Sequence, residues 1–364
     1  MFALLALRWR GWAYFLGSFL LVCVGLSQNA EVDRIRAHAE KGEAESQNSL
    51  GLAYKNGRGV SQDFKEALGW FQKAAEQGNP FGQRNLALMY LEGKGVKQDL
   101  NEAAKWLQKA ADQNFTAAQS QLGLLYLYGK LPGNQQRKGV EWLKKAADGN
   151  YAEAQDKLGE LYLAGKEVPK SMEEARKLFE KAAGQNYASA QDHLANLYLD
   201  GKEVPQDYAK AVELYRQAAI QNYAASQSTL GWMYSEGKGV KQDDAEAVQW
   251  LRRAADQQYA SAQNLLGVMY ENGRGVPKDF AKAVALYRQA AERGYGGAQN
   301  NLAIAYALGQ GVEKNAVEAY VWFELAATHG DHNREDLKEA VTKELKPEEL
   351  ANAEKRVKEF AARL

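Results

Sequence analysis

Residues 260–295 read ASAQNLLGVMYENGRGVPKDFAKAVALYRQAAERGY, and closely related stretches follow one another along the chain. The glutamine of this stretch, Gln263, has counterparts spaced 36 residues apart without an insertion or deletion, namely Gln47, Gln83, Gln119, Gln155, Gln191, Gln227 and Gln299. A leucine follows each glutamine by three residues, a glycine or alanine by four and a tyrosine by seven. A constant period of this length is the signature of a repeat protein in which every copy forms the same small unit.

Each copy predicts a pair of helices joined by short turns. Counted from the glutamine, apolar or small residues lie at minus one, plus three, plus four and plus seven, which is one face of a first helix. A glycine at plus ten, such as Gly273, favours the left-handed conformation that ends this helix. Side chains that can cap a second helix recur at Asp63, Asp99, Ser171, Asp207, Asp243, Asp279 and Asn315. Paired alanines, Ala74 and Ala75 in the first copy, recur in all eight second helices.

The small residues let two helices approach closely, while leucine, tyrosine and tryptophan fill the space between them. Since a single copy cannot bury both of its faces, it stacks on its neighbours. We therefore predict an all-α fold, a right-handed α–α superhelical solenoid of eight 36-residue helix-turn-helix repeats over residues 43–330. An N-terminal capping helix is predicted at 31–42, and two charged capping helices are predicted within 331–364.

Residues 1–30 have the order of a secretory signal peptide. Arg8 and Arg10 precede an apolar run over residues 11–26, and small and polar residues then lead into a charged stretch. The run has sixteen residues, fewer than the roughly 20 that a helix needs to cross a bilayer core. We expect export to the periplasm or another extracytoplasmic compartment, with cleavage before Gln28. An uncleaved inner-membrane anchor and a cytosolic apolar start are the alternatives.

The charge balance bears on possible partners. Lysine and arginine together number 46, and aspartate and glutamate together also number 46. This balance lacks the basic excess that a phosphate backbone requires, so no nucleic-acid partner is expected. The one cysteine, Cys23, lies in the N-terminal apolar run. A processed chain would therefore hold no disulfide and no cysteine metal ligand, and its stability must come from packing.

The order Gly-x-x-Tyr-x-x-Gly-x-Gly-Val-x-x-Asp, followed by Ala-x-x-Trp and Ala-Ala, resembles the Sel-one-like repeat (SLR), a relative of the tetratricopeptide repeat. The third copy keeps Leu122, Tyr126, Gly129, Trp142, Ala146 and Ala147, but its loop lacks the Gly-Val pair and the capping aspartate. The resemblance covers about residues 31–330. It implies an α-superhelical adaptor, often of bacterial envelopes or membrane quality-control assemblies, and it does not imply a reaction.

No residue pattern points to catalysis or to a metal site. Glycine pairs in the turns follow a helix, whereas a phosphate-binding loop follows a strand. His38 and His193 are isolated, and His329 and His332 lack a third ligand at metal-binding spacing. We expect no enzymatic activity, no cofactor and no metal. The alternative functions are an envelope hydrolase acting on peptidoglycan or β-lactams and a membrane-tethered structural spacer.

The expected partner is a protein or peptide, held by a monomer on the concave surface that first helices line in related solenoids. Residues one and five places after the glutamine share a helix face that is distinct from the leucine contacts. The candidate binding residues at these two positions are Trp232, Asn196, Asn264, Glu160, Asn300, Arg84 and Asn48. We predict a groove centred on copies four to seven with Trp232 as its anchor, because desolvated aromatic side chains dominate many interfaces. The alternative is that Trp232 fills a gap between adjacent first helices.

Overall fold

A computed structural model of the chain describes residues 29–362, except residues 130, 132, 134, 203 and 332. The expected cleavage site and nearly all of the predicted leader lie outside this part of the chain. The described residues form helices and turns, and no strand occurs among them. No helix within these residues is both long enough and apolar enough to cross a membrane. The chain separates into two compact units, of which unit 1 ends at Ser171 and unit 2 begins at Met172.

Unit 1 is built of helix pairs that follow the predicted repeat. Its described helices are α1 (29–40), α2 (Ala44–Asn56), α3 (Phe64–Glu76), α4 (Pro80–Glu92), α5 (Leu100–Ala111), α6 (Thr116–Tyr128), α7 (Gln136–Asp148) and α8 (Ala152–Ala164). From α2 to α8, each helix packs against the next one within the unit. The first helices of the repeats are α2, α4, α6 and α8. Phe71, Leu86 and Met89 are buried together between successive helices, which places the core of the unit along the helix stack.

Unit 2 continues the same alternation and ends in two further helices. Its helices are α9 (Met172–Gly184), α10 (Ala188–Asp200), α11 (Tyr208–Ile220), α12 (Ala224–Glu236), α13 (Asp244–Asp256), α14 (Ala260–Asn272), α15 (Phe280–Ala291), α16 (Gly296–Leu308), α17 (Ala316–Thr328), α18 (Glu335–Glu344) and α19 (Pro347–Ala361). Its first helices are α10, α12, α14 and α16. Both α18 and α19 pack against α17, where the rings of Trp322 and Phe360 meet with their centroids 5.3 Å apart.

The helix boundaries lie where the capping residues predict them. The carboxylate of Asp63 accepts hydrogen bonds from the backbone N–H groups of Lys65 and Glu66 at the start of α3. Side chains at the same position cap five other second helices, namely Asp99, Asp207, Asp243, Asp279 and Asn315. Left-handed glycines end seven first helices, namely Gly57, Gly93, Gly165, Gly201, Gly237, Gly273 and Gly309. Gly129 is extended instead, with φ −70°, in the third copy, whose loop lacks both the Gly-Val pair and the capping aspartate.

The second glycine of the turn has a role that its periodicity alone did not show. Gly275 has a φ of +66°, and a Cβ atom placed on it would lie 2.2 Å from the carbonyl oxygen of Asp244, at the start of α13. The equivalent Gly95, Gly239 and Gly311 also approach the start of the preceding second helix this closely. The turn of one repeat therefore rests directly on the backbone of the repeat before it.

The repeated glutamine links each first helix to its neighbours. Gln83 is buried on α4, and its side-chain amide donates to the carbonyl oxygen of Ala75 on α3 at 3.2 Å. The carbonyl oxygen of the Gln83 side chain accepts from the amide of Gln113, just after α5, at 2.9 Å. The same amide-to-alanine bond is made by Gln47, Gln119, Gln155, Gln227 and Gln299. A buried polar side chain is retained here because it satisfies backbone groups at helix ends.

Gln263 shows what this linkage requires. Its amide donates to Gln289 at 2.9 Å, but its side-chain oxygen is buried and has no hydrogen-bond partner among the described residues. In other copies the donor to this oxygen is a glutamine 30 residues further on. The residue at that place is Arg293, whose guanidinium bonds to Gln258 instead. The hydrogen bond to the side-chain oxygen of the repeated glutamine thus depends on which residue lies 30 positions further on, just after the second helix.

Candidate partner-binding surface

In unit 1, the plus-one residues of the candidate site bond to the next first helix. The side-chain oxygen of Asn48 on α2 accepts from the amide of Asn85 on α4 at 2.8 Å. Nε of Arg84 on α4 donates to the side-chain oxygen of Gln121 on α6 at 3.0 Å. Each bond joins residues 37 positions apart, so plus one of a copy contacts plus two of the following copy. These polar positions stabilise the stacking of repeats, and their contact with a partner stays a prediction.

Asn264 and Asn300 occupy the same position in unit 2 and are buried. Asn264 is 8% exposed, and its side-chain oxygen accepts from the amide of Asn301 on α16 at 2.9 Å. Asn300 is 6% exposed, and its side-chain oxygen has no hydrogen-bond partner among the described residues. The position 37 residues after Asn300 is Leu337 on α18, which has no polar group to donate. Asn300, in the last repeat, therefore has no side-chain partner of the kind that Asn264 has.

Asn196 is held by side chains of its own unit. Its side-chain oxygen accepts a hydrogen bond from the hydroxyl of Tyr215 on α11 at 2.7 Å, and its amide donates to the Asp192 carboxylate at 3.0 Å. Tyr215 is fully buried, and this burial raises the pKa of its phenol. The other carboxylate oxygen of Asp192 accepts from Ser226 on α12 at 2.6 Å. Asn196 thus satisfies a buried tyrosine hydroxyl, a role that its sequence position does not reveal.

Trp232 is half-buried on α12. Its indole packs against a core cluster of unit 2 that includes Val212, Tyr215 and Met233. The ammonium of Lys238 lies 4.5 Å from the centroid of the Trp232 ring, in cation–π geometry. Both interpretations of this side chain, partner anchor and gap filler, are compatible with these contacts. Trp232 packs on the cluster that contains Tyr215, and Asn196 bonds to the same tyrosine, while a binding groove formed by the two residues stays a prediction.

Glu160, the remaining candidate, lies half-buried on α8 in unit 1. Its carboxylate accepts a hydrogen bond from the ammonium of Lys157 at 2.6 Å. Burial alone would lower the pKa of Lys157, but the bond and charge of Glu160 raise that pKa above its ordinary value. Lys157 therefore keeps its positive charge at neutral pH.

The surface around α6 was not singled out from the sequence. Helix α6 contains no charged residue, and Tyr128 at its end is 60% exposed. A groove of about 520 Å³ lies beside it, lined by Leu91 of α4, by Leu124 and Tyr128 of α6, and by Lys157 of α8. The absence of charge over Thr116–Tyr128 is the signal that could have identified this surface, because exposed helix faces are normally charged.

His38 and His329 lie in ordinary polar surroundings, whereas the ring of His193 lies against that of Phe179, with their centroids 4.9 Å apart. Nδ1 of His38 is 2.7 Å from the carboxylate of Glu43. Nδ1 of His329 is 3.1 Å from the side-chain oxygen of Gln299, where other copies place a glutamine amide. His329 therefore replaces the repeated glutamine donor. His332, the other member of the C-terminal histidine pair, lies outside the described residues.

Comparison with known proteins identifies the repeat. The Sel1 repeat matches eight segments of the chain, over residues 44–79, 80–115, 116–151, 152–187, 188–223, 224–259, 260–295 and 297–331. A solved Sel1 repeat protein from Oxalobacter formigenes is 33% identical with a TM-score of 0.60, covering 88% of this chain and 92% of that one. A protective antigen present in uropathogenic Escherichia coli strains, which displays an SLR fold, is 30% identical with a TM-score of 0.50. That alignment covers 90% of this chain and 78% of the antigen. No curated protein matches the chain.

These matches agree with the packing of the two units. The all-helical fold and the eight two-helix repeats predicted from the sequence are confirmed. The resemblance to the Sel-one-like repeat is confirmed as well, since the matched segments account for most of the chain. The chain belongs to the Sel1 repeat family.

Proposed function

We propose that this chain is a non-enzymatic adaptor of the bacterial envelope, which binds a partner protein or peptide on the surface formed by the first helices of its repeats. Sel1 repeats are in general protein–protein interaction modules, and the fold is typically a scaffold without catalysis. The observation that carries the proposal is a variable, half-buried position on a constant framework. At plus five the repeats carry Leu52, Leu88, Leu124, Glu160, Asn196, Trp232, Val268 and Ile304. Such variation suits recognition better than it suits a shared structural role.

Replacing Trp232 by alanine tests the anchor. A partner is first isolated from an envelope extract with the wild-type chain as bait, and its affinity is then measured for both proteins. Loss of roughly 2 kcal/mol of binding free energy with nearly unchanged thermal stability is expected, because an interface aromatic contributes mainly to binding. A gap filler would instead lower the free energy of unfolding by about 3 kcal/mol.

Trp250→Ala is the matched control for this measurement. Trp250 is 7% exposed on α13, and its truncation should lower the free energy of unfolding by about 3–5 kcal/mol. If Trp232→Ala melts as early as this control, Trp232 belongs to the core. If Trp232→Ala melts normally and binds the partner at full strength, Trp232 has no part in the site.

The envelope location is proposed from Arg8, Arg10 and the apolar run that follows them. We expect the mature chain to begin near Gln28, because the sixteen-residue run is short for a membrane span and is followed by small residues. Mass spectrometry of the N-terminus of the native protein measures this directly. Recovery of intact chain beginning near Met1 from washed membranes would mean that the leader is not cleaved and serves as a membrane anchor.

A further inference from the structure

The groove beside α6 differs in composition from the exposed faces around it. Leu91, Leu124 and Leu125 provide its apolar lining, and Tyr128 extends over one end with most of its ring in solvent. The groove has a volume of about 520 Å³ and is widely open to solvent. Because the lining is mainly apolar, an apolar side chain is the group that the groove accommodates best.

Two cations flank this lining. Lys157 lines the groove and is paired with Glu160, as described above. Arg84 bonds through Nε to Gln121, which also lines the groove. The acceptor on Gln121 is a neutral amide, and Arg84 forms no ion pair with any carboxylate in the described part of the chain. A half-buried guanidinium without a counter-ion retains donors that match a carboxylate in bidentate geometry.

We propose that this surface, the α6 groove, binds a peptide segment of a partner protein in which a large apolar side chain stands next to an acidic side chain. The apolar side chain occupies the space between Leu91, Leu124 and Tyr128. The acidic side chain pairs with Arg84, since the charge of Lys157 is already matched by Glu160. This inference rests on the proposed adaptor function and names the chemistry of its ligand.

Charge complementarity selects this occupant over a purely apolar one. An apolar segment alone would leave the Arg84 guanidinium covered and unpaired, at a cost in desolvation. A basic segment would be repelled by Arg84. An acidic and apolar segment satisfies both parts of the surface, and its binding must weaken as salt screens the charges.

A selection with a random 12-residue peptide display library, with the full-length chain as target, tests the proposal. The enriched sequences are synthesised with a fluorophore, and their affinities are measured by anisotropy at low and high salt. We expect the enriched peptides to share an apolar residue beside aspartate or glutamate. Arg84→Gln and Tyr128→Ser should each weaken binding by about tenfold or more, and Arg84→Gln should also remove much of the salt dependence.

Ile220→Ser is the matched control, because Ile220 is an apolar side chain 70% exposed on α11 of unit 2. This variant should bind the peptides like the wild type, and thermal melts should show all three variants folded. Absence of enriched peptides, or enriched peptides without an acidic residue, overturns the proposal. If the peptides lose affinity for Trp232→Ala but not for Arg84→Gln, they do not bind in the α6 groove. The α6 proposal is then wrong, while the adaptor function is still supported. Failure to capture any envelope partner counts against the adaptor function, whatever the peptides show.

Discussion

Replacing Gly275 by alanine is expected to lower the free energy of unfolding by about 2–4 kcal/mol. The residue has a φ of +66°, where a side chain costs about 1–2 kcal/mol. The new Cβ atom would also lie 2.2 Å from the carbonyl oxygen of Asp244 and 3.1 Å from the backbone nitrogen of Ala245. Because both neighbours are backbone atoms, no rotamer change relieves the contact. Urea denaturation followed by far-UV circular dichroism measures the loss.

Two other glycines separate the causes of this effect. Gly273 lies in the same turn with a φ of +69°, but its Cβ would meet Lys278 at 3.2 Å or more, so alanine there should cost only about 1–2 kcal/mol. Gly69 lies inside α3 with nothing within 4 Å of a new Cβ, and alanine there should stabilise by about 0.5–1 kcal/mol. Equal losses for Gly273→Ala and Gly275→Ala would mean that the turn moves freely away from α13.

The repeats could be predicted from the sequence because their signals are local. Asp63 caps α3 and Gly273 ends α14 through contacts within a few residues, and these are the distances over which a periodic pattern is informative. The first alanine of each pair in the second helices is also buried, as expected from its register. The confirmed features are thus those that depend on residues within one helix face or one turn.

Contacts between copies were harder to derive. The glutamine is the most regular residue of the sequence, but its side chain bonds to residues 8 and 30 positions away. The periodicity of a helix face does not predict contacts at these separations along the chain. The polar pairs Asn48 with Asn85 and Asn264 with Asn301 were visible as plus-one and plus-two residues of successive copies. Had these pairs been compared across the 36-residue period, their mutual bonding could have been predicted.

The candidate site illustrates the same limit. Variation at plus five correctly indicated half-buried side chains such as Trp232 and Glu160, since a sealed core would not accept both. This variation does not predict that Asn196 bonds to Tyr215. The tyrosine belongs to the second helix, at a position where most other copies carry phenylalanine or leucine. The α6 groove does not follow from a comparison of equivalent positions, because the absence of charge is a property of the whole helix.

Deleting residues 260–295 is expected to leave a folded protein, whereas deleting residues 260–277 is expected to destroy the fold of its unit. The whole deletion removes α14 and α15 and joins Tyr259 to the start of α16 in the register of the repeat. Since each repeat contacts mainly its neighbours, α16 can then pack on α13 through the same leucine, alanine and glutamine positions. The helical circular dichroism per residue and a single cooperative melting transition should be retained.

The shorter deletion removes α14 but keeps α15, so α15 loses the helix on which it packs. The whole deletion leaves no helix without its partner. Tyr287 on α15 is fully buried and donates to the carboxylate of Glu271 on α14 at 2.5 Å. Without α14, this ring and the neighbouring alanines lose their packing partners, and losing one large buried side chain already costs about 3–5 kcal/mol. That loss approaches the total stability of a typical domain, about 5–15 kcal/mol, so helical signal and cooperativity should both fall. If both deletions unfold the protein to the same extent, stability is not distributed between neighbouring repeats, and contacts over longer distances must hold unit 2 together.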